Sequence, residues 1–290
     1  MARSDPVTRA SSLTSTEFSQ RFGRSGRPVV LTDVVRSWPC FERWTLPYLA
    51  SAIGEKRFAI TLSQDGAFPV LSSRVEAPDV AEILALKDFF QVAAGDRPNG
   101  VIRYLQQKSI ERCLPELTQD LGHVNVAGTA ELRDVNFWCG QRGSRIPLHY
   151  DTFDNFLAQI RGAKRVRLFP PSDTPLLYPG REGTSFASEV DPDDFDSARY
   201  PLFSQAHPLA DIMLDEGEVL FIPAFWWHYV VTESCYAISL NYWYHSVWGH
   251  PRAAFMRARE LLDLGRATVA ALPKAQRELA LSYARGILED

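Results

Sequence analysis

The 290-residue chain lacks an apolar run long enough to cross a bilayer, and its first twenty residues lack the apolar stretch of a secretory signal. It also lacks any CxxC pair, since its four cysteines are scattered: Cys40, Cys113, Cys139 and Cys235. Neither a disulfide framework nor a cysteine zinc site is therefore predicted. We expect reduced, buried thiols in a cytoplasmic protein that has no membrane partner.

The chain also lacks a strong charge of one sign, because its formal net charge is only −4. Arginines cluster near both ends, but such clusters are more typical of solvated helix faces than of nucleic-acid sites. At 46% hydrophobic residues and 12% aromatic residues, the composition supplies a sizeable core.

Four regions are predicted: a disordered segment (1–12), an N-terminal α/β elaboration (13–134), a β-rich core (135–250) and a C-terminal helix pair (251–290). In the elaboration, "STEFSQRFG" predicts a helix capped by Ser15 or Thr16, and "TLPYLASAIG" predicts one that ends at Gly54. "RPVVLTDVV" and "KRFAITLS" read as strands. Residues 76–94 have helical spacing, with Val80, Ile83, Leu84 and Phe89 expected to face inward.

From residue 135 onward, short β-rich runs are separated by Gly, Pro and polar turns, which favours a sandwich or jelly roll. A polar insertion at 172–208 interrupts them. It reads equally well as a functional loop or as a segment that wraps the barrel edge.

Two stretches of this core carry candidate ligands. "IPLHYDTFDN" places His149 and Asp151 two residues apart, so that both side chains would face one side of a strand. Such a pair is compatible with a surface contact, a buried hydrogen bond or a metal site. His228 lies in the apolar "GEVLFIPAFWWHYVV" and, taken alone, reads as a core histidine. Together, two histidines and one carboxylate match the facial triad of non-haem Fe(II) oxygenases.

The words "PLHYDTFDNFLAQIRGAKRVRLFPPSD", "GEVLFIPAFWWHYV" and "ISLNYWYH" resemble the JmjC-type, cupin-like family of Fe(II)- and 2-oxoglutarate-dependent oxygenases. The resemblance runs from about Arg27 to His245. It implies a mainly β, double-stranded β-helix (jelly-roll) core and an iron triad of His149, Asp151 and His228. It also implies that Lys164 binds the distal carboxylate of 2-oxoglutarate, the cosubstrate used together with O₂.

Further residues take roles through the same resemblance. Tyr104, Asn155 and Asn241 match positions that bind the cosubstrate, and Gln106 and Trp243 match positions near the substrate. For these residues other than Lys164, packing or hydrogen bonding without ligand contact is an equal alternative. No catalytic residue is expected beyond the metal centre.

One position departs from the family pattern. Relatives commonly carry a threonine three residues before the first histidine, where this chain has Ile146. One hydroxyl donor to the distal carboxylate is therefore missing, and Ser144 or Tyr104 is the expected replacement. Weaker 2-oxoglutarate binding follows as a hypothesis.

The implied reaction couples oxidative decarboxylation of 2-oxoglutarate to succinate with C–H hydroxylation. A protein side chain or small molecule is the expected substrate, because the acidic "DPDDFD" would repel a phosphate backbone. A tRNA-base hydroxylase, a metal-binding cupin without 2-oxoglutarate activity and a non-catalytic binding module stay open as alternatives. The C-terminal helices are expected to form a homodimer, the alternative being a cap on the barrel.

Overall fold

A computed structural model describes residues 7–69, 81–95, 100–180 and 186–245. The strands of this part of the chain are β1 (Arg9–Ala10), β2 (Val29–Leu31), β3 (Arg57–Ser63), β4 (Ala81–Ala85), β5 (Ile102–Ser109), β6 (Leu132–Gln141), β7 (Arg145–Tyr150), β8 (Asp154–Arg161), β9 (Lys164–Phe169), β10 (Ala210–Leu214), β11 (Val219–Ile222), β12 (Trp227–Thr232) and β13 (Tyr236–Tyr244). The α-helices are α1 (Ser15–Phe18), α2 (Pro39–Arg43), α3 (Leu46–Ile53), α4 (Leu86–Ala93) and α5 (Ile110–Cys113). No described helix is long and apolar enough to cross a membrane.

Strands β6–β13 form the jelly-roll core that the sequence predicts. A nine-stranded sheet has the order β1-β2-β11-β8-β13-β6-β5-β3-β4, and a four-stranded sheet has the order β10-β9-β12-β7. Apolar side chains of both sheets, such as Leu157 of β8, Val166 of β9 and Val230 of β12, meet in one buried cluster. The two sheets therefore pack face to face, as in a double-stranded β-helix.

The other face of the large sheet is covered by the N-terminal elements. Because successive strand residues point to opposite faces, Phe156 and Ala158 of β8 join a second core with helices α1–α4, whereas Leu157 joins the barrel interior. Asp120 anchors this layer, since its buried carboxylate accepts hydrogen bonds from the side chains of Arg43, Trp44 and Tyr48. The large sheet is thus buried on both faces.

The N-terminal helices agree only partly with the sequence prediction. Helix α3 begins after the N-cap Thr45 and ends at Gly54, as predicted. The cap of α1 is Thr14 and not Ser15 or Thr16. The Thr14 hydroxyl accepts from the backbone N–H of Glu17, while the Glu17 carboxylate accepts from the backbone N–H of Thr14, which is a capping box.

The predicted disorder of residues 1–12 is wrong for the part that the structure describes. Strand β1 pairs in parallel with β2, and the backbone N–H of Val30 donates to the Thr8 carbonyl at 2.9 Å. Arg9 also pairs with Glu218 at 2.9 Å. Long-range partners therefore order a polar segment whose composition favours disorder. Residues 1–6 lie outside the described residues.

The helix predicted for residues 76–94 is wrong in its first described part. Residues Ala81–Ala85 are strand β4, which pairs with β3, and the helix begins only at Leu86. Ile83 is consequently 64% exposed on an edge strand, whereas Phe89 is buried as predicted. Val80 and the predicted C-terminal helix pair (251–290) lie outside the described residues.

The described part of the 172–208 insertion wraps the edge of the four-stranded sheet. Its residue Ala187 forms a bridge with His149, and the backbone N–H of Tyr150 donates to the Phe186 carbonyl at 2.9 Å. Leu177, Val190 and Phe203 pack with core residues on the outer face of that sheet. The insertion therefore covers the free edge of β7, the strand that carries His149.

Candidate active site

The three predicted metal ligands lie together where strand β7 ends and strand β12 begins. His149 and His228 are cross-strand partners, and their ring centroids are 4.1 Å apart. Asp151 follows the last residue of β7, and its Oδ2 lies 3.8 Å from Nε2 of His228. One ligand atom from each of the three residues lies within 4.8 Å of the others. This spacing allows all three to bind one ion.

Both histidines are oriented by backbone carbonyls. Nδ1 of His149 lies 2.7 Å from the Pro147 oxygen, and Nδ1 of His228 lies 2.9 Å from the Trp226 oxygen. Because a carbonyl can only accept, Nδ1 of each ring carries a proton, and the metal-binding tautomer is the one with the lone pair on Nε2. The pKa of His149 lies well below its usual value, mainly because the ring is buried and secondly because His228 is close. This shift favours the neutral form of His149.

A chain of amides holds the carboxylate ligand. Asn241 donates from Nδ2 to Oδ1 of Asn155 at 2.9 Å, and Asn155 donates from Nδ2 to Oδ2 of Asp151 at 3.2 Å. Burial raises the pKa of Asp151, while His228 and the Asn155 hydrogen bond oppose that shift. The structure therefore gives Asn155 and Asn241 an observed role in orienting Asp151, and both also line the cavity next to it.

The cavity beside the triad has about 600 Å³ of empty space, part of which is open to solvent. It is lined by every site residue that the sequence predicts: Tyr104, Gln106, His149, Asp151, Asn155, Lys164, His228, Asn241 and Trp243. The structure thus brings together residues that are spread over about 140 positions of the chain.

The surroundings of Lys164 show whether the cavity fits a cosubstrate with two carboxylates. Its side chain is only 3% exposed, and its ammonium lies 3.3 Å from the Tyr104 hydroxyl. No carboxylate of the described residues lies within ion-pairing distance. Burial lowers the pKa of Lys164 to about 8. A buried cation that has no counter-charge among the described residues, in the same cavity as a metal triad, fits the distal carboxylate of 2-oxoglutarate.

Gly140 lets Tyr104 approach this position. A Cβ atom at residue 140 would lie 2.7 Å from the Tyr104 ring, so a larger residue would displace the ring. Of the two replacements predicted for the missing threonine hydroxyl, Tyr104 lines the cavity. Ser144 is outside the described lining, and its hydroxyl donates to the Gln141 carbonyl at 2.6 Å. Ile146 itself lies on the cavity wall.

Several lining residues have no counterpart in the sequence prediction, among them Pro69, Gln107 and Trp138. Trp138 shares a face of β6 with Gly140 through simple alternation, so a strand pattern could have placed it. Gln107 could not be found in this way, because it lines the cavity only through an irregularity of β5 described below.

The predicted site residue Trp243 stacks on Phe153, with ring centroids 6.0 Å apart.

Comparison with known proteins agrees with this geometry. The model of the cupin-like domain family matches residues 15–250. The chain belongs to this family. The family match and the His-Asp-His triad of the described residues confirm the predicted JmjC-type, cupin-like family and the predicted fold class.

Three relatives illustrate the range of the family. Lysine-specific demethylase 8 of Xenopus tropicalis is 31% identical over 75% of this chain and 48% of its own length. Bifunctional peptidase and (3S)-lysyl hydroxylase JMJD7 of Homo sapiens is 31% identical over 75% of this chain and 77% of its own length. tRNA wybutosine-synthesizing protein 5 of Homo sapiens is 30% identical over 97% of this chain and 93% of its own length. The chain thus spans about half the length of the demethylase.

Proposed function

We propose that the protein is an Fe(II)- and 2-oxoglutarate-dependent hydroxylase, which couples decarboxylation of 2-oxoglutarate to succinate with hydroxylation of a C–H bond. The observation that carries the proposal is Lys164, a buried ammonium without a counter-charge among the described residues. A metal-binding cupin without 2-oxoglutarate has no use for this cation, which costs folding free energy.

When bound, Fe(II) supplies the redox chemistry by which O₂ oxidises the cosubstrate and the substrate. The protein's own residues hold and shield that centre. Backbone carbonyls at Nδ1 orient His149 and His228, which leaves Nε2 of each ring available to the metal, and the Asn241–Asn155 chain orients Asp151. Lys164 and Tyr104, which contact each other in the cavity wall, would hold the distal carboxylate of 2-oxoglutarate.

Anaerobic titration of the metal-free protein with Fe(II) and 2-oxoglutarate tests the proposal directly. We expect the visible charge-transfer band of an iron-chelated keto acid. The band should disappear in Asp151→Ala and persist in Asp88→Ala, an exposed carboxylate on α4. Iron binding without a band would place the protein with the cosubstrate-free cupins.

For the substrate we propose a protein side chain or a small molecule. The sequence favours this choice because the acidic "DPDDFD" run would repel a phosphate backbone, but the fold compensates part of that charge. Asp193 of the "DPDDFD" run lies 2.6 Å from Arg167, and Asp191 lies 3.9 Å from Arg145. Part of the negative charge is therefore compensated, which reduces repulsion of a phosphate backbone.

A tRNA base is the second candidate substrate. It is favoured by the likeness to tRNA wybutosine-synthesizing protein 5, which extends over 97% of this chain, compared with 75% for the demethylase and the lysyl hydroxylase. Incubation with total tRNA, followed by mass spectrometry of the nucleosides, decides the question. A nucleoside that gains one oxygen only when 2-oxoglutarate is present would establish the tRNA substrate.

A cytoplasmic location stays a prediction from the sequence.

A further inference from the structure

The wall that β5 and β6 contribute to the cavity contains a strand irregularity. Pairing runs from Leu105 opposite Cys139 to Lys108 opposite Phe137, so Gln106 and Gln107 together face the position of Trp138. Gln107 has a φ of +44°, which is rare for a residue with a side chain. Consecutive residues of a regular strand point to opposite faces, yet both glutamines line the cavity. This bulge therefore turns an additional polar side chain toward the cavity.

The amide of Gln106 has a defined orientation. The side chain is 2% exposed, and Nε2 donates to the Pro69 carbonyl at 3.1 Å. Because a carbonyl oxygen can only accept, the amide nitrogen must face Pro69 and Oε1 must face away from it. Oε1 is buried and has no hydrogen-bond partner among the described residues. The described part of the chain thus leaves one acceptor of the cavity wall without a donor.

Trp138 provides a donor beside this acceptor. Its indole Nε1 is buried and also has no hydrogen-bond partner in the described part of the chain. Its ring lies against the Tyr104 ring, with centroids 5.9 Å apart, and lines the same cavity. Buried polar groups without partners are rare because they lose hydration without compensation. Here one acceptor, Oε1 of Gln106, and one donor, Nε1 of Trp138, lie on paired strands around one bulge. Together they point to a ligand that hydrogen-bonds with both.

We propose that Gln106 and Trp138 form a subsite for a neutral amide group of the substrate. The amide N–H donates to Oε1 of Gln106, and the amide carbonyl accepts from the Trp138 indole. Among the described lining residues, Asp151 is the only carboxylate and belongs to the metal triad, while Lys164 adds a positive charge. An ammonium or guanidinium group would therefore lack a counter-ion there. The inference rests on the proposed function only in treating this cavity as the substrate site.

The indole N–H resonance of Trp138 reports directly on this subsite. We would record it by ¹H–¹⁵N NMR, assign it with Trp138→Phe, and titrate propionamide, propylammonium and propionate, which are similar in size. The titrations are run on the metal-free protein and on protein loaded with Zn(II) and 2-oxoglutarate. We expect a saturable downfield shift with propionamide alone.

Variants of Gln106 test the acceptor. Gln106→Leu should weaken propionamide binding roughly tenfold, as expected for loss of a buried hydrogen bond. Gln91→Leu, an exposed glutamine on α4, should leave it unchanged. Gln106→Glu should reverse the preference in favour of propylammonium, because it introduces the missing counter-charge. The titrations of the three probes use the unmodified protein, with Trp138→Phe needed only to assign the resonance, and so do not depend on the folding of the Gln106 variants.

Three outcomes would overturn the subsite. These are an equal or larger shift with propylammonium, no saturable shift with any probe, or a shift of the Trp138 resonance by 2-oxoglutarate alone. The last would assign the indole to the cosubstrate. Failure of the proposed function is a separate result, since it appears as a missing charge-transfer band with Fe(II) and 2-oxoglutarate, whatever the amide titration shows.

Discussion

At the scale of single residues, Lys164 is a cation placed where the fold would favour an apolar side chain. Burial disfavours its charged form, and its described hydrogen-bond partner is the Tyr104 hydroxyl. A group of this kind lowers stability unless a ligand compensates its charge. Stability and cosubstrate binding should therefore respond to Lys164 in opposite directions.

Lys164→Met should abolish 2-oxoglutarate binding and yet stabilise the protein in the absence of cosubstrate. The lowered pKa corresponds to a stabilisation on the order of 3 kcal/mol when the charge is removed at neutral pH. Thermal unfolding measures the stability, and the charge-transfer titration measures the binding. Lys87→Met, an exposed lysine on α4, serves as the control. A lower melting temperature in Lys164→Met would contradict an uncompensated charge.

The same group predicts a pH dependence. Below a pH of about 8, Lys164 is protonated and 2-oxoglutarate affinity should be constant; above it, affinity should fall as the free lysine loses its proton. Without cosubstrate, the unfolded state binds more protons between about 8 and 10.5, so the Lys164 contribution to stability rises with pH across that window. Affinity measured from pH 6.5 to 9.5 tests the first statement, and an affinity that rises above pH 8 would refute it.

Substitutions of Ile146 test whether the missing threonine hydroxyl weakens 2-oxoglutarate binding. Ile146→Thr should strengthen 2-oxoglutarate binding by roughly 10- to 100-fold, the effect of one hydrogen bond to a charged group. Ile146→Val, which has the shape of threonine without its hydroxyl, is the matched control. Equal affinities in the two variants would mean that Tyr104 and Lys164 already satisfy the carboxylate.

At the scale of elements, the insertion protects the strand that carries His149. The four-stranded sheet ends at β7, and residues 186–188 pair with its outer edge. Ion pairs hold the same insertion to the sheet. Asp193 accepts from Arg167 at 2.6 Å and from the Tyr229 hydroxyl at 2.9 Å. The position of the metal ligand thus depends on a segment with little secondary structure of its own.

Asp193→Asn should loosen this contact and lower the free energy of unfolding by about 1 kcal/mol, the upper range for a partly exposed pair. Hydrogen exchange of residues 186–208 should increase. Asp194→Asn, in the same acidic run but without an ion pair to the described residues, is the control. Unchanged exchange in Asp193→Asn would show that apolar packing alone holds the insertion.

At the scale of the whole molecule, the N-terminal elaboration and the barrel share one sheet. Strands β1–β5 extend the large sheet on both sides of the barrel strands, and helices α1–α4 cover its outer face. The boundary predicted at residues 134 and 135 is therefore a change of sequence character inside a continuous sheet, because β6 itself spans Leu132–Gln141.

The predicted homodimer belongs to this scale as well. Ending the chain before Pro251 should convert a dimer into a monomer if residues 251–290 form the interface, which light scattering would measure. The charge-transfer titration on the shortened protein shows whether its site is intact. A full-length protein that is already monomeric would favour the alternative of a cap on the barrel.

The sequence by itself determined the family, the jelly-roll class and the residues that could serve as ligands, because ligand chemistry depends on residue type and strand alternation is local. Only the tertiary structure decided which segments became strands at β1 and β4, since their pairing partners lie far away in the chain. It also decided the bulge that turns Gln107 toward the cavity beside Gln106, and the cover over β7. These features depend on hydrogen bonds between distant strands, which local propensity does not contain.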